Sequence, residues 1–498
     1  MNKPSIDSTT GLGRKTARGG AALVASQSAR TVFQLGSLAI LARILSPEDF
    51  GLFSMTAAVL RFFALFATFG LIQAAVQREA ITRDEVNGLF WLNTGLGLLF
   101  GLVVFALAPL VASFYGNLAI RDLTRLLSLS ILLQGLGLQS RAMLEREFRF
   151  KRVVAVEVIA SVLAMCAAIW MAMRGAGVWA LVVQDLVMVG SGSLGFLFLS
   201  TWKPGLPPKK VQLTSFLRYG SGLTGANVVN YLSRNMDNVL IGRAFGSTEL
   251  GFYQKAYSLV LLPINQLNVP LSRVLLPALS RKKNDPPAYR RAYRQAIGCL
   301  SAISIPAIAA MGVVSHEVIL LLLGPGWAPA NRYFLALLPA AFVGATNMGT
   351  GWVYTSFGHT GRQMKWSLLN AVVFLAGISI ASRFSVMVVA LSVSGLFVGF
   401  RIPAILYCFR DTPLQAVDFW VPVLRQTFLS LLAGGITLAV VPVAFASISF
   451  EFNLVAVPAT KLALFVCVLL IADLSVPGIA LRQNLLFILR HFRRRHVS

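Results

Sequence analysis

Apolar stretches of about twenty residues follow one another almost without a break from residue 20 to residue 477 of this 498-residue chain. A bilayer core about 30 Å thick is crossed by about 20 apolar residues in a helix. Water could not dissolve such a chain: 56% of its residues are hydrophobic, 13% are charged, and the mean hydropathy is +0.72, whereas soluble domains carry about 25% charged residues. In lipid each backbone N–H and C=O must be satisfied internally, so a serial pattern of this length demands helices. The expected fold is all-α and polytopic.

Fourteen spans are predicted, at 20–45, 51–76, 87–115, 122–143, 153–173, 177–201, 216–242, 251–280, 295–323, 331–357, 365–383, 386–409, 419–446 and 455–477. The first and seventh are polar along one face. The chain has 44 Lys and Arg against 19 Asp and Glu, and the excess is not spread evenly. Glu145 to Arg152, Lys209 and Lys210, Arg281 to Lys283, Arg290 and Arg291, and Arg493 to Arg495 all fall in alternate loops or the tail. The opposite loops, such as 46–50, 115–121 and 324–330, hold few basic residues. Basic loops resist translocation, so both termini are expected on the cytoplasmic side of the membrane. This distribution accounts for the net charge of +25 through anionic lipid rather than nucleic acid. Residues 1–19 form a basic tail, and the apolar run after it is longer than a signal-peptide core, so a retained first helix is expected.

No loop is long enough to fold as a catalytic domain. The four cysteines, Cys166, Cys299, Cys408 and Cys467, lack CxxC spacing, and the four histidines, His316, His359, His491 and His496, are scattered. The chain contains no GxxxxGK[ST], HExxH or GxSxG motif. No metal, cofactor or catalytic residue is therefore expected.

One segment recurs at an offset of 200. Leu41 to Phe53 lies over Ile241 to Tyr253, matching Arg43 with Arg243 and Gly51 with Gly251, and pairing Asp49 with Glu249 and Phe53 with Tyr253. Upstream, Gln27, Arg30 and Gln34 lie over Asn227, Asn230 and Arg234. Parallel repeats are a transporter architecture with the substrate site between the halves. The expected organisation is a tail (1–19), a six-helix lobe (20–201), a cytoplasmic linker (202–215), a second six-helix lobe (216–409), two further helices (410–477) and a basic tail (478–498).

Charges inside a span cost roughly 2.5–3.5 kcal/mol on insertion scales, so they face a cavity or a partner. Arg30 with Gln27 and Gln34 lies on one face of span 1, and Arg61 near the middle of span 2. Asn227, Asn230 and Arg234 form the matching stripe on span 7, with Asp237 beside it, and span 8 carries Lys255 and Arg273. A water-filled cavity lined by guanidinium and amide groups suits an anion bearing hydroxyls, since Arg meets phosphate oxygens in a bidentate fork. The competing reading is pairing within the protein, as between Arg234 and Asp237, or snorkelling to the interface. Asp237, Lys255 and Asp185 are candidates for ion coupling, and Glu157 and Asp473 for a proton or cation relay. Arg43 and Arg243 read as interface anchors. Pro263, Pro270 and Pro277, seven apart on span 8, read either as a hinge or as a permanent bend. The basic, tyrosine-bearing segment Arg281–Arg294 reads as an amphipathic linker on anionic lipid.

Leu41 to Phe53, Gly70 to Arg78, Glu145 to Phe150, Asn238 to Arg243 and Leu250 to Pro263 together resemble the signature of bacterial polysaccharide exporters, over roughly the first 290 residues. The resemblance is to the colanic-acid and exopolysaccharide exporter type. It belongs to the flippase superfamily that also holds Wzx O-antigen flippases, the lipid II flippase and multidrug extruders. It implies two lobes in a V, alternating access, and an undecaprenyl-diphosphate-linked oligosaccharide carried outward for exopolysaccharide or lipopolysaccharide synthesis. In the related lipid II flippase, arginines on helices 1, 2 and 8 face the cavity, and Arg30, Arg61 and Arg273 occupy those helices here. The resemblance also implies a lipid-tail groove at the last two spans, with membrane lipids, a polysaccharide polymerase and chain-length proteins as partners. A multidrug extruder would favour acids and aromatics in the cavity. A membrane-embedded polymerase or ligase would need a large outer loop, and a mere scaffold would not need buried charge.

Overall fold

The computed structural model describes residues 33–69, 81–208, 214–444 and 450–475, with Leu71 and Arg78. The described chain is helical throughout, with no strand among these residues. In order the helices are α1 (Phe33–Ile44), α2 (Pro47–Thr68), α3 (Arg83–Tyr115), α4 (Ala119–Arg146), α5 (Phe150–Met173), α6 (Trp179–Leu199) and α7 (Thr214–Ser280). They continue with α8 (Pro286–Val313), α9 (Ser315–Leu322), α10 (Ala330–Ala345), α11 (Met348–Phe357), α12 (Thr360–Ala381), α13 (Val386–Phe409), α14 (Ala416–Ala444) and α15 (Phe450–Ser475).

Local chemistry sets the helix starts. Ser46 caps α2 by accepting from the Asp49 N–H at 3.2 Å, while the Asp49 carboxylate accepts from the Ser46 N–H at 2.9 Å, with Pro47 at the first helical position. That is a complete capping box, and Thr82 and Glu85 build the same one for α3. Asp285 caps α8 ahead of Pro286, and Ser385 caps α13.

Ten passages among the described residues are long and apolar enough to cross a membrane. The most apolar window of α3 has only 28% of its residues buried, and that of the α12 passage 17%. Leu98, Leu99, Leu102 and Phe105 on α3 are exposed, as are Leu424, Phe428 and Leu431 on α14. Helices that present aliphatic faces outward along their length are solvated by lipid. The chain is a multi-pass membrane protein. α1, α4 and the two arms of α7 occupy the other four expected spans and are more polar.

The residues sort into two compact units, Met1–Gly251 and Phe252–Ser498. In the first, α3 and α4 pack backbone to backbone through small residues. A Cβ on Gly135 would lie 2.7 Å from the Asn93 carbonyl oxygen, and one on Gly101 would lie 3.2 Å from that of Ser128. The segment after α6 is tied to α3: the Trp91 indole donates to Gly205 O at 2.9 Å, and the Gly205 N–H donates to Asn87 Oδ1 at 3.2 Å. In the second unit a core of Tyr289, Tyr293, Ile297, Trp352, Ile405, Phe409 and Phe419 joins α8, α11, α13 and α14.

Three expectations are corrected. Spans 7 and 8 are separated not by a loop over Arg243–Leu250 but by a single break at Gly246, φ 84° and ψ −178°, so α7 is two helices meeting at a kink, where glycine meets no Cβ penalty. The segment Arg281–Arg294 is not a surface linker beyond Asp285, because α8 begins at Pro286 and buries Tyr289, Ala292 and Tyr293. Arg291 is exposed while the aromatic face enters the core, which is how an amphipathic stretch behaves when a partner helix is available. The spans expected at 295–323 and 331–357 are each two helices, broken at Val314 and at Thr346–Asn347.

Candidate functional site

The first unit assembles a polar network from five helices. Ser37 of α1 is buried and accepts from Gln184 Nε2 of α6 at 2.9 Å. Next to Gln184, Asp185 faces Ser130 of α4 and Arg61 of α2. Arg61 also lies in electrostatic reach of Tyr231 on α7. The Tyr231 hydroxyl donates to the Ala58 carbonyl at 2.6 Å, one turn before Arg61, and its ring centroid lies 6.2 Å from that of Phe62. Arg61 thus lies within electrostatic reach of a carboxylate and of a phenol held to its own helix.

Around this network the first unit exposes polar side chains at membrane depth. Arg61 is exposed about 21 Å from the start of α2 at 1.5 Å per residue. Asn227, Asn230 and Arg234 are exposed on the first arm of α7, with Arg234 about 18 Å from the Gly246 break. Their spacing of three and four keeps them on one helix face. Gln34 is exposed on α1. Exposed cations and amides at this depth are stable where water reaches them, since lipid would leave them unsolvated. The arrangement can bind an anion through two guanidinium forks and hydroxyls through three amides.

Other expected site residues behave differently. Asp237 is 5% exposed, and its Oδ1 accepts from the Asn238 N–H at 2.8 Å. Lys255 and Pro263 are half-buried and Pro277 is exposed on the second arm of α7. The backbone of that arm stays helical past Pro263, Pro270 and Pro277. Gln27 and Arg30 lie outside the described residues, as do the side chains of Arg273 and Pro270. The relay candidates are paired: Glu157 with Arg141 at 3.1 Å, and Asp473 with Arg425 at 3.0 Å. Arg243 lies over the Phe114 ring at 5.7 Å, a setting suited to an anchor at a helix end. Among the described residues no group of three or more His, Cys, Asp or Glu could hold a metal ion.

Tyr231, Gln184, Ser37 and Ser130 escaped the sequence reading because hydroxyls and amides are cheap in a span and carry no charge signal. Arg401 on α13 did carry one, as a lone guanidinium in a predicted span, but it is not among the candidates read from the sequence.

The sequence profile described as "Polysaccharide biosynthesis protein" matches residues 40–332, more than half of the chain. The chain belongs to this family of polysaccharide biosynthesis proteins. Within it the chain is similar to the lipopolysaccharide biosynthesis protein WzxC of Escherichia coli K12, 28% identical over 299 residues, 59% of this chain and 60% of WzxC. It is also similar to the succinoglycan biosynthesis transport protein ExoT of Rhizobium meliloti 1021, 26% identical over 291 residues, 58% of this chain and 59% of ExoT. The matched stretch therefore spans about three-fifths of each of these relatives. The fold is that of the lipid II flippase MurJ in its inward closed conformation, with a TM-score of 0.71 at 13% identity over 90% of this chain and 98% of that one. The α2 capping box, Arg61 and both copies of the repeat from Leu41 and Ile241 fall inside the part of the chain that the family profile covers.

Proposed function

We propose that this protein is a flippase that carries an undecaprenyl-diphosphate-linked oligosaccharide from the cytoplasmic to the periplasmic face of a bacterial inner membrane, both termini being cytoplasmic. The observation that carries the reading is the exposed polar wall of Arg61, Arg234, Asn227 and Asn230 at membrane depth in the first unit. The relatives, a lipopolysaccharide biosynthesis protein and a succinoglycan biosynthesis transport protein, support the substrate class.

In this reading Arg61 and Arg234 hold the diphosphate, joined by Arg30 and Arg273. Gln27, Gln34, Asn227 and Asn230 take the sugar hydroxyls while the polyprenyl tail stays in lipid. Two lobes, 20–201 and 216–409, alternate access by rocking, and Pro263, Pro270 and Pro277 let span 8 bend. Asp185, Asp237 and Lys255 couple the cycle to an ion gradient. Asp185 suits that role because it faces Arg61, so anion binding at Arg61 and cation binding at Asp185 are electrostatically linked.

The test is translocation in liposomes of a fluorescent undecaprenyl-diphosphate oligosaccharide, read by its accessibility to an outside reagent. Wild type translocates, and an Arg61→Ala, Arg234→Ala variant that remains folded loses most of the rate. Absence of translocation under every ion gradient, with cationic drugs moved instead, would assign the protein to drug extrusion.

A further inference from the structure

α6 ends at Leu199, and the carbonyls of its last turn have no helical N–H to accept from. Two cations from different parts of the first unit take them. Lys203, four residues further on, donates from Nζ to Leu197 O at 2.6 Å and to Phe198 O at 3.0 Å. Arg152, in the first turn of α5, donates from Nη1 to Leu199 O at 3.0 Å. The two side chains therefore meet on three consecutive carbonyls, and both residues remain exposed.

Capping leaves most of their charge unspent. A helix C-terminus offers about half a negative charge against two full positive ones. The acid of the adjoining turn, Glu147, is already engaged: it accepts from the Thr201 hydroxyl at 2.6 Å and pairs with Arg149 at 2.7 Å. Among the described residues no carboxylate pairs with Arg152 or Lys203. Lys151, exposed beside Arg152, adds a further positive charge. Donors remain as well, since Arg152 spends one of five N–H groups and Lys203 two of three.

An apolar seam runs away from this pair. α5 and α6 pack closely, so that a Cβ on Gly195 would lie 2.8 Å from Val156 Cγ1. Counted from that contact at 100° per residue, Arg152 and Ile159 on α5 and Leu194 and Phe198 on α6 turn to the same side of the seam. Ile159, Leu194 and Phe198 are 58%, 55% and 76% exposed. Cations at the membrane end of a seam with an aliphatic and aromatic floor present two chemistries side by side, one for a phosphate and one for a hydrocarbon chain.

We propose that the α5–α6 seam binds one anionic glycerophospholipid. Its phosphate bridges Arg152 and Lys203 and supplies the negative charge that the helix end only half provides, and an acyl chain lies along Ile159, Leu194 and Phe198. A zwitterionic lipid brings its own ammonium group to the same cations and is disfavoured by like-charge repulsion. The site shares no residue with the polar wall on α1, α2 and α7, so it stands whatever molecule that wall carries.

The experiment is native mass spectrometry of the detergent-solubilised full chain, titrated with phosphatidylglycerol, with phosphatidylcholine of the same acyl chains, and with undecaprenyl diphosphate. Wild type should retain one phosphatidylglycerol at concentrations where phosphatidylcholine is lost. Arg152→Gln and Lys203→Gln each keep an N–H for the α6 carbonyls and remove the charge. Each should weaken phosphatidylglycerol roughly fivefold, and both together about thirtyfold, with phosphatidylcholine unchanged. Phe198→Ala should weaken both glycerophospholipids by the same factor, and Lys365→Gln, an exposed cation on α12, should alter neither. Equal retention of the two glycerophospholipids by wild type, or an unchanged preference in the double variant, would overturn the proposal. So would undecaprenyl diphosphate held through Arg152 and Lys203 while phosphatidylglycerol fares no better than phosphatidylcholine. Should the double variant not fold, the two single variants decide.

Discussion

Gly51 and Gly251 pack into each other's copy of the repeat. A Cβ on Gly51 would lie 1.8 Å from the Ser247 carbonyl oxygen, and one on Gly251 would lie 2.0 Å from the Pro47 carbonyl oxygen and 3.4 Å from the Gly51 nitrogen. Pro47 and Ser247, like the two glycines, are equivalent positions 200 residues apart. The contact is therefore reciprocal, as across a two-fold axis, and both halves of it need a bare backbone. Backbones this close are reached only where no side chain stands between them.

Gly51→Ala and Gly251→Ala should each destabilise the protein. The atom struck is backbone in both cases and cannot rotate away, so each should cost about 1–3 kcal/mol or somewhat more. Either alanine forces the same separation of the same two helix starts, so the double variant should cost clearly less than the sum. Thermal unfolding of the two singles and the double in nanodiscs measures this, and strict additivity would contradict a shared contact.

Arg61 is expected to act by geometry as well as charge. Arg61→Lys keeps the cation and loses the planar fork, so it should reduce lipid-linked sugar translocation by tenfold or more, while its unfolding temperature stays close to that of wild type. Tyr231→Phe should lower stability by about 1 kcal/mol through the lost bond to Ala58 O. Rates and unfolding temperatures measured on the same liposome preparations separate the two effects.

Asp418 is the shared acceptor for Arg290, Arg294 and the Gln415 N–H. Breaking a fully buried pair costs about 3–5 kcal/mol, but the Arg290 side chain is 36% exposed and recovers part of its hydration. Asp418→Asn should therefore cost about 2 kcal/mol, and adding Arg290→Gln should restore part of it. Denaturant or thermal midpoints of the three variants check the order.

Lys461 and Glu317 form an ion pair that joins α15 to α9, their side chains 12% and 13% exposed. Lys461→Met alone strands a carboxylate and should cost about 3 kcal/mol, whereas Lys461→Met with Glu317→Leu should return close to wild type, because two apolar groups avoid desolvation altogether. An unfolding series on the single and double variants tests it. A double variant as unstable as the single would show that the pair itself is net stabilising.

The sequence by itself determined the class, the helices and their approximate ends. Apolar length and loop charge are local quantities, and lipid imposes the helix on any segment that enters it, so no tertiary contact is needed to read them. Caps such as Ser46 with Asp49 are local as well, written within four residues. The charged candidates Arg61 and Arg234 were visible because a charge in a span is rare. Only the tertiary structure decided which polar groups meet. That Tyr231 is held to Ala58, that Gln184 reaches Ser37 147 residues away, and that Glu157 and Asp473 are engaged by arginines depend on helix pairing and rotation, to which apolar periodicity is nearly blind when every face is apolar. The same holds for the segment after Asp285, where the basic pattern was plain but the burial of Tyr289 and Tyr293 required α13 and α14 to be in place against it.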